Sequence, residues 1–210
     1  RQRHLTIPCE MCIRDRNRAY PGRADGTLTE QIAYGIVQLI KQEKVDMTID
    51  LHEASPEYPV INAIVAHERA MEFAAEVTIG LQMDGMKIGL EPSPKSLRGL
   101  SHRELGDATN TLAILMETAN PAQGRLRGAT NEQLVLTGKD QMYERAAKLN
   151  RVFVPYDGKG QPLDLRVARH VTAVNEFLMV LSKKKPAQAV VLNRVPSYND
   201  MVKKGIGSYL

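Results

Sequence analysis

Val45-Asp-Met-Thr-Ile-Asp-Leu51 reads as a buried strand that ends by presenting His52, with Glu53 next in line. An imidazole at a strand end is placed for metal binding or proton transfer, because α/β enzymes put their chemistry where strands end. A second apolar run, Leu112-Ala-Ile-Leu-Met116, ends in the same way in Glu117. A carboxylate there can serve as general base and then general acid once a dry setting moves its pKa toward neutrality. Upstream, Asn17-Arg18-Ala-Tyr-Pro21-Gly22 sets an amide and a guanidinium just before a turn. The planar fork of Arg18 suits bidentate capture of a carboxylate, and Asn17 can orient the same group. Ser96-Leu-Arg98-Gly-Leu-Ser-His102-Arg103-Glu104, ahead of Glu117, offers two more arginines, Arg98 and Arg103. Each of these residues also has an ordinary structural role open to it. His52 can be satisfied by local hydrogen bonds, Glu117 can pair with an arginine, and Arg18 can stand solvated in its turn.

The elements that must position them alternate. Thr27-Leu-Thr-Glu30 has the form of a capping box, which predicts a helix to about residue 42 with Leu28, Ile32, Ile36, Leu39 and Ile40 as its buried stripe. A strand over about 45–51 follows, then a strand at 60–65 and a helix over 68–83 with Met71, Ala75 and Ile79 on its apolar side. Residues 86–90 suggest a short strand, and a long connection punctuated by Pro92, Pro94, Gly99 and Gly106 leads to the strand at 112–116. Helices are expected over about 139–149 and 163–182, the latter with Leu163, Val167, Val171, Val174, Leu178 and Leu181 at helical spacing. Strands alternating with helices define an α/β fold, a layered mixed β-sheet flanked by helices. Residues 17–182 are expected to form the main domain and 183–210 a charged, poorly structured tail.

Composition narrows the function classes. The 210 residues are 43% hydrophobic and 25% charged, ordinary for a globular domain. A formal charge of +4 with scattered basic residues favours an anionic substrate more than nucleic acid, for which no reading module is present. No run approaches the length of a membrane span, and nothing in the sequence specifies a compartment. Cys9-Glu-Met-Cys12 could be a redox pair, half of a zinc knuckle or two incidental thiols. Met11-Cys-Ile-Arg-Asp-Arg16 is similar to translated sequencing-adapter read-through, which would make residues 1–16 foreign to the protein. Gly158-Lys159-Gly160 lacks the spacing of a phosphate loop.

Asn17-Arg18-x-x-Pro21-Gly22, Asp25-Gly-Thr-Leu-Thr-Glu30, Asp50-Leu-His52 and Glu117 occur in the order of the zinc carboxypeptidase superfamily. More narrowly, the chain resembles its succinylglutamate desuccinylase/aspartoacylase branch over roughly residues 17–180. The resemblance implies a zinc-dependent hydrolase acting on an amide bond next to a carboxylate, with a small peptide or an N-acyl amino acid as substrate. It makes His52 the third zinc ligand, Glu117 the general base, and Asn17 and Arg18 the substrate-binding pair, with Arg98 and Arg103 as weaker substrate contacts. The family's first two ligands come from a His-x-x-Glu pair before the Asn-Arg motif. None of His4, His52, His67, His102 and His170 begins such a pattern. The resemblance therefore implies a chain truncated at its N-terminus, inactive by itself, or a catalytically inactive relative that binds an anion or a protein.

Overall fold

Thr27 starts a helix by the mechanism its sequence announces. Its hydroxyl accepts from the Glu30 N–H while the Glu30 carboxylate accepts from the Thr27 N–H, and helix α1 then runs Leu28–Gln42. The computed structural model describes residues 16–153, 156 and 159–209, so His4, the Cys9/Cys12 pair and Gly158 lie outside the described residues, as does the doubtful leading segment up to residue 15. Beyond α1 come β1 (Met47–Ala54), β2 (Ala63–Ala66), α2 (Met71–Met83), β3 (Gly89–Pro92), α3 (Ser101–Ala108), β4 (Leu112–Ala119), α4 (Glu132–Thr137), α5 (Gln141–Lys148), α6 (Leu163–Lys184) and α7 (Tyr198–Lys204). The fold is α/β.

Its four strands form one sheet in the order β1-β4-β2-β3. The amides of Leu112 and Asn120 donate to the carbonyls of Asp46 and Ala54, so β1 and β4 run in parallel. His67 donates to the Ala113 carbonyl while Asn62 receives the Ala119 amide, which makes β2 antiparallel to β4. Gly89 and Ser93 donate to Asn62 and Ala66, so β3 runs with β2. The sheet is mixed, as the sequence suggested. No helix among the described residues is long and apolar enough to cross a membrane.

The chain divides into two compact units. The first comprises the described part of Arg1–Asp50 with Ala66–Ala70 and Pro92–Ile114; the second comprises Leu51–Val65, Met71–Glu91 and the described part of Leu115–Leu210. In the first, Val37 and Ile40 of α1 pack with Leu105 of α3 and Ala113 of β4, and Tyr20, Ile36, Val45 and Ala108 close around them. Each such aliphatic side chain removed from water contributes roughly 1.5–3 kcal/mol. The buried face of α1 is Ala33, Val37 and Ile40, whereas Leu28, Ile32 and Leu39 of the expected stripe are exposed. Apolar residues wrap so much of this helix that spacing alone offers two stripes, and packing selects the one carrying the small Ala33.

In the second unit α2 packs on α6, with Phe73 and Phe177 stacked at 5.9 Å between ring centroids. Phe73, Ala74, Val77 and Leu81 face inward, while Ile79, expected on the buried side, is exposed. On α6 the inward residues are Arg166, Ala168, Arg169, Thr172, Ala173, Phe177 and Val180, and Val171 is exposed. Periodicity reads only apolar residues, so it could not foresee two arginines occupying the core-facing side. Within the segment after residue 182, expected to be a charged, poorly structured tail, Tyr198–Lys204 form α7 against α6 with Met201 buried. Helix α3 fills what the sequence left as a long connection, and α4 was likewise not foreseen.

Candidate active site

His52 and Glu117 are strand residues, not the first residues beyond a strand: β1 continues to Ala54 and β4 to Ala119. In a parallel pair an amide bonds the carbonyl preceding its cross-strand neighbour, so the Leu112-to-Asp46 bond sets Leu112 beside Met47 and Glu117 beside His52. Neighbours at one level point to the same face. The side chains accordingly meet, with His52 Nδ1 3.9 Å from Glu117 Oε2. The imidazole is 33% exposed and the carboxylate 10%, so the pair has a wet partner and a nearly dry one. Leu115, Met116, Thr118 and Ala119 around Glu117 along β4 are all buried. The separation exceeds a direct hydrogen bond.

The opposite face of the same strands carries a second polar system. Glu53 is bonded through one oxygen to Arg166 Nη1 at 2.6 Å and through the other to the Asn120 amide at 2.6 Å. Arg166, with its side chain only 2% exposed, also donates to the carbonyls of Gln161 and Val135. Sequence reasoning missed this network. Its signals were Asn120, three residues after Glu117, and the arginines within an otherwise amphipathic α6. By fixing the strand ends just past His52 and Glu117, it restrains the register on which their meeting depends.

Within the first unit, Asn17 Oδ1 accepts from the Ser101 amide at the start of α3, and the Ser101 hydroxyl donates to Asp50. Arg18 is exposed, and its Nη1 donates to the Asn17 carbonyl at 2.7 Å. Tyr20 donates to the Gly99 carbonyl. Gly99 has φ +83° and no room for a Cβ, which would meet the Arg18 carbonyl oxygen, so glycine is what lets these loops touch.

Arg98 and Arg103 take structural places. Arg103 is 3% exposed in its side chain and is held by Glu68 at 2.7 Å, Asp107 at 2.6 Å and the Ser93 carbonyl. Arg98 reaches Asp107 and Glu104, each at 2.8 Å. His67 Nε2 lies 3.1 Å from the same Asp107. Both guanidiniums are committed to the protein's own carboxylates, so they anchor α3 in this geometry and do not present a fork to a substrate. The Arg103 hydrogen bond holds the Glu68 carboxyl down at about 2, and Arg103, then His67 and Arg98, hold Asp107 well below its usual range.

These shifts set a pH dependence. A carboxyl whose folded pKa is depressed contributes stability above its unfolded value and loses it as pH falls through the folded value. For Glu68 the loss runs from about 4.5 down to about 2. Solvent screening at these partly exposed groups reduces its size. Thermal melts across that window should fall in midpoint, and Arg103→Gln should lower the midpoint near neutrality while flattening the acid limb. Parallel acid limbs for the two proteins would contradict this assignment.

No protein-family model, curated protein or solved structure matches the chain. Among the described residues no group of three His, Cys, Asp or Glu side chains is arranged to hold a metal ion. A catalytic zinc site takes three protein ligands. The described residues do not by themselves form such a site.

Proposed function

We propose that the chain carries the acid–base centre of a hydrolase that cleaves an amide bond next to a carboxylate, of carboxypeptidase or N-acyl-amino-acid deacylase type. The observation that supports it is the meeting of His52 with the nearly buried Glu117 on adjacent parallel strands. In this reading Glu117 removes a proton from the attacking water as its oxygen bonds the carbonyl carbon. The same carboxyl then returns that proton to the nitrogen as the carbon–nitrogen bond breaks. His52 borders the reacting water. Arg18 grips the substrate carboxylate, and Asn17 holds the loop that presents it. Zinc belongs to this reading through the zinc carboxypeptidase resemblance, in which His52 would be one ligand.

A second reading, a catalytically inactive relative that binds an anion or a protein, is favoured by the incomplete ligand set among the described residues. One experiment separates the two. The protein, supplied with zinc, is assayed on N-acyl amino acids and on the matching carboxamides. Hydrolysis that prefers the free carboxylate supports the enzyme. Arg18→Ala should then cost about 1.5–3 kcal/mol in kcat/KM for the carboxylate substrate, the range for a hydrogen bond to a charged group, and little for the carboxamide. Equal losses on both would remove Arg18 from the site. Binding of the carboxylate without turnover would select the second reading.

A further inference from the structure

The apolar run Val190-Val-Leu192 follows the basic end of α6, Lys183-Lys184, without entering a helix or strand. The chain turns back on α6 through a short helical turn, Pro186–Gln188, and Ser182 then holds it. The Ser182 hydroxyl donates to the Val190 carbonyl at 3.1 Å and accepts from the Val190 amide at 3.0 Å. Farther on, α7 packs against the same helix with Met201 buried. Segment 190–195 is thus fixed on both sides, and between it and α6 lies a cleft of about 460 Å³. That volume falls within the roughly 300–1,000 Å³ of small-molecule sites.

Two kinds of residue line it. Met179, Val190, Val191, Leu192 and Val195 supply apolar walls, and with Val191 73% exposed that apolar surface is open to water. Lys183 and Arg194 supply two positive charges, and neither forms an ion pair among the described residues. No aspartate or glutamate among the described residues lines the cleft. Arg194 moreover has φ +59°, the left-handed region that disfavours any residue with a Cβ. Backbone outliers of this kind concentrate at ligand sites. An apolar wall draws in a hydrocarbon chain, and two uncommitted cations select a chain that carries an anion.

We propose that this cleft binds an aliphatic carboxylate of medium chain length, its chain covering the Met179, Val191 and Leu192 side chains and its carboxylate answered by Lys183 and Arg194. A bare anion such as phosphate leaves the apolar walls wet, and a neutral lipid chain leaves both cations unanswered. Neither His52 nor Glu117 lines the cleft, so the proposal stands apart from the hydrolase reading.

Isothermal titration with butanoate, hexanoate and octanoate, each below its micelle-forming concentration, and with 1-octanol tests it. Saturable binding of the carboxylates is expected to tighten by about fourfold for each methylene buried. 1-Octanol keeps the chain and loses the charge, so it should bind about tenfold or more weakly than octanoate. Arg194→Gly suits the left-handed backbone better than arginine does, so it should leave the thermal midpoint unchanged or raised and yet weaken octanoate by about tenfold. Leu192→Asn should weaken octanoate more than butanoate. Absence of saturable octanoate binding by the wild-type chain, equal binding of octanoate and 1-octanol, or an octanoate affinity that Arg194→Gly leaves untouched would overturn the site.

Discussion

Arg166→Met should destabilise the second unit by about 3 kcal/mol, the lower end of the range for breaking one side of a buried ion pair. Methionine fills similar space, so little of the loss comes from a cavity. The loss comes from Glu53, which keeps its charge and the Asn120 amide but loses the guanidinium at 2.6 Å. The Gln161 and Val135 carbonyls lose donors as well. The lower end applies because the Glu53 side chain is 27% exposed and water can reach part of it. Urea denaturation would show a lowered midpoint with an unchanged slope. Pairing the change with Glu53→Gln should recover part of the loss, since the stranded charge is then gone. A loss below about 1 kcal/mol would mean that water already serves Glu53 and that the pair restrains nothing.

Glu117→Gln should reduce turnover by about 10²- to 10⁴-fold in the active protein, the contribution of a positioned general acid–base group. The substitution preserves shape, and Glu117 is only 8% exposed, so a neutral amide is no harder to bury than the carboxylate it replaces. Stability and substrate affinity should therefore hold while kcat falls. Unchanged kcat would show that Glu117 is a structural carboxylate, whatever the fold around it.

How much of this could be seen in the sequence varies with the physics of each element. The start of α1 was legible because a capping box is local: Thr27 and Glu30 satisfy each other's backbone without help from distant residues. Strands β1 and β4 were legible, and so was the alternation that makes the fold α/β, but β1, expected to be buried, is an edge strand with no buried residue. The inward faces of α1, α2 and α6 were not legible. Several apolar stripes fit the same spacing, and the choice among them is made by tertiary packing and by buried arginines that a hydrophobic pattern treats as surface. The His52–Glu117 juxtaposition was half visible: two strand-end signals named the residues, but only the parallel register between β1 and β4 places them at one level. Arg98 and Arg103 looked like anion ligands because the carboxylates that occupy them, Glu68 and Asp107, are set by the fold of the first unit. The Glu53–Arg166–Asn120 network joins positions far apart in the chain and leaves no local signature.

The most direct measurement is a double-mutant cycle in kcat/KM for amide hydrolysis, using His52→Asn, Glu117→Gln and both together. If the two side chains serve one acid–base centre, each single change should remove most of the rate. The double variant should then be little worse than the more damaging single one. Losses that simply add would contradict a shared centre, and singles that retain wild-type rates would contradict a role for either residue in the chemistry.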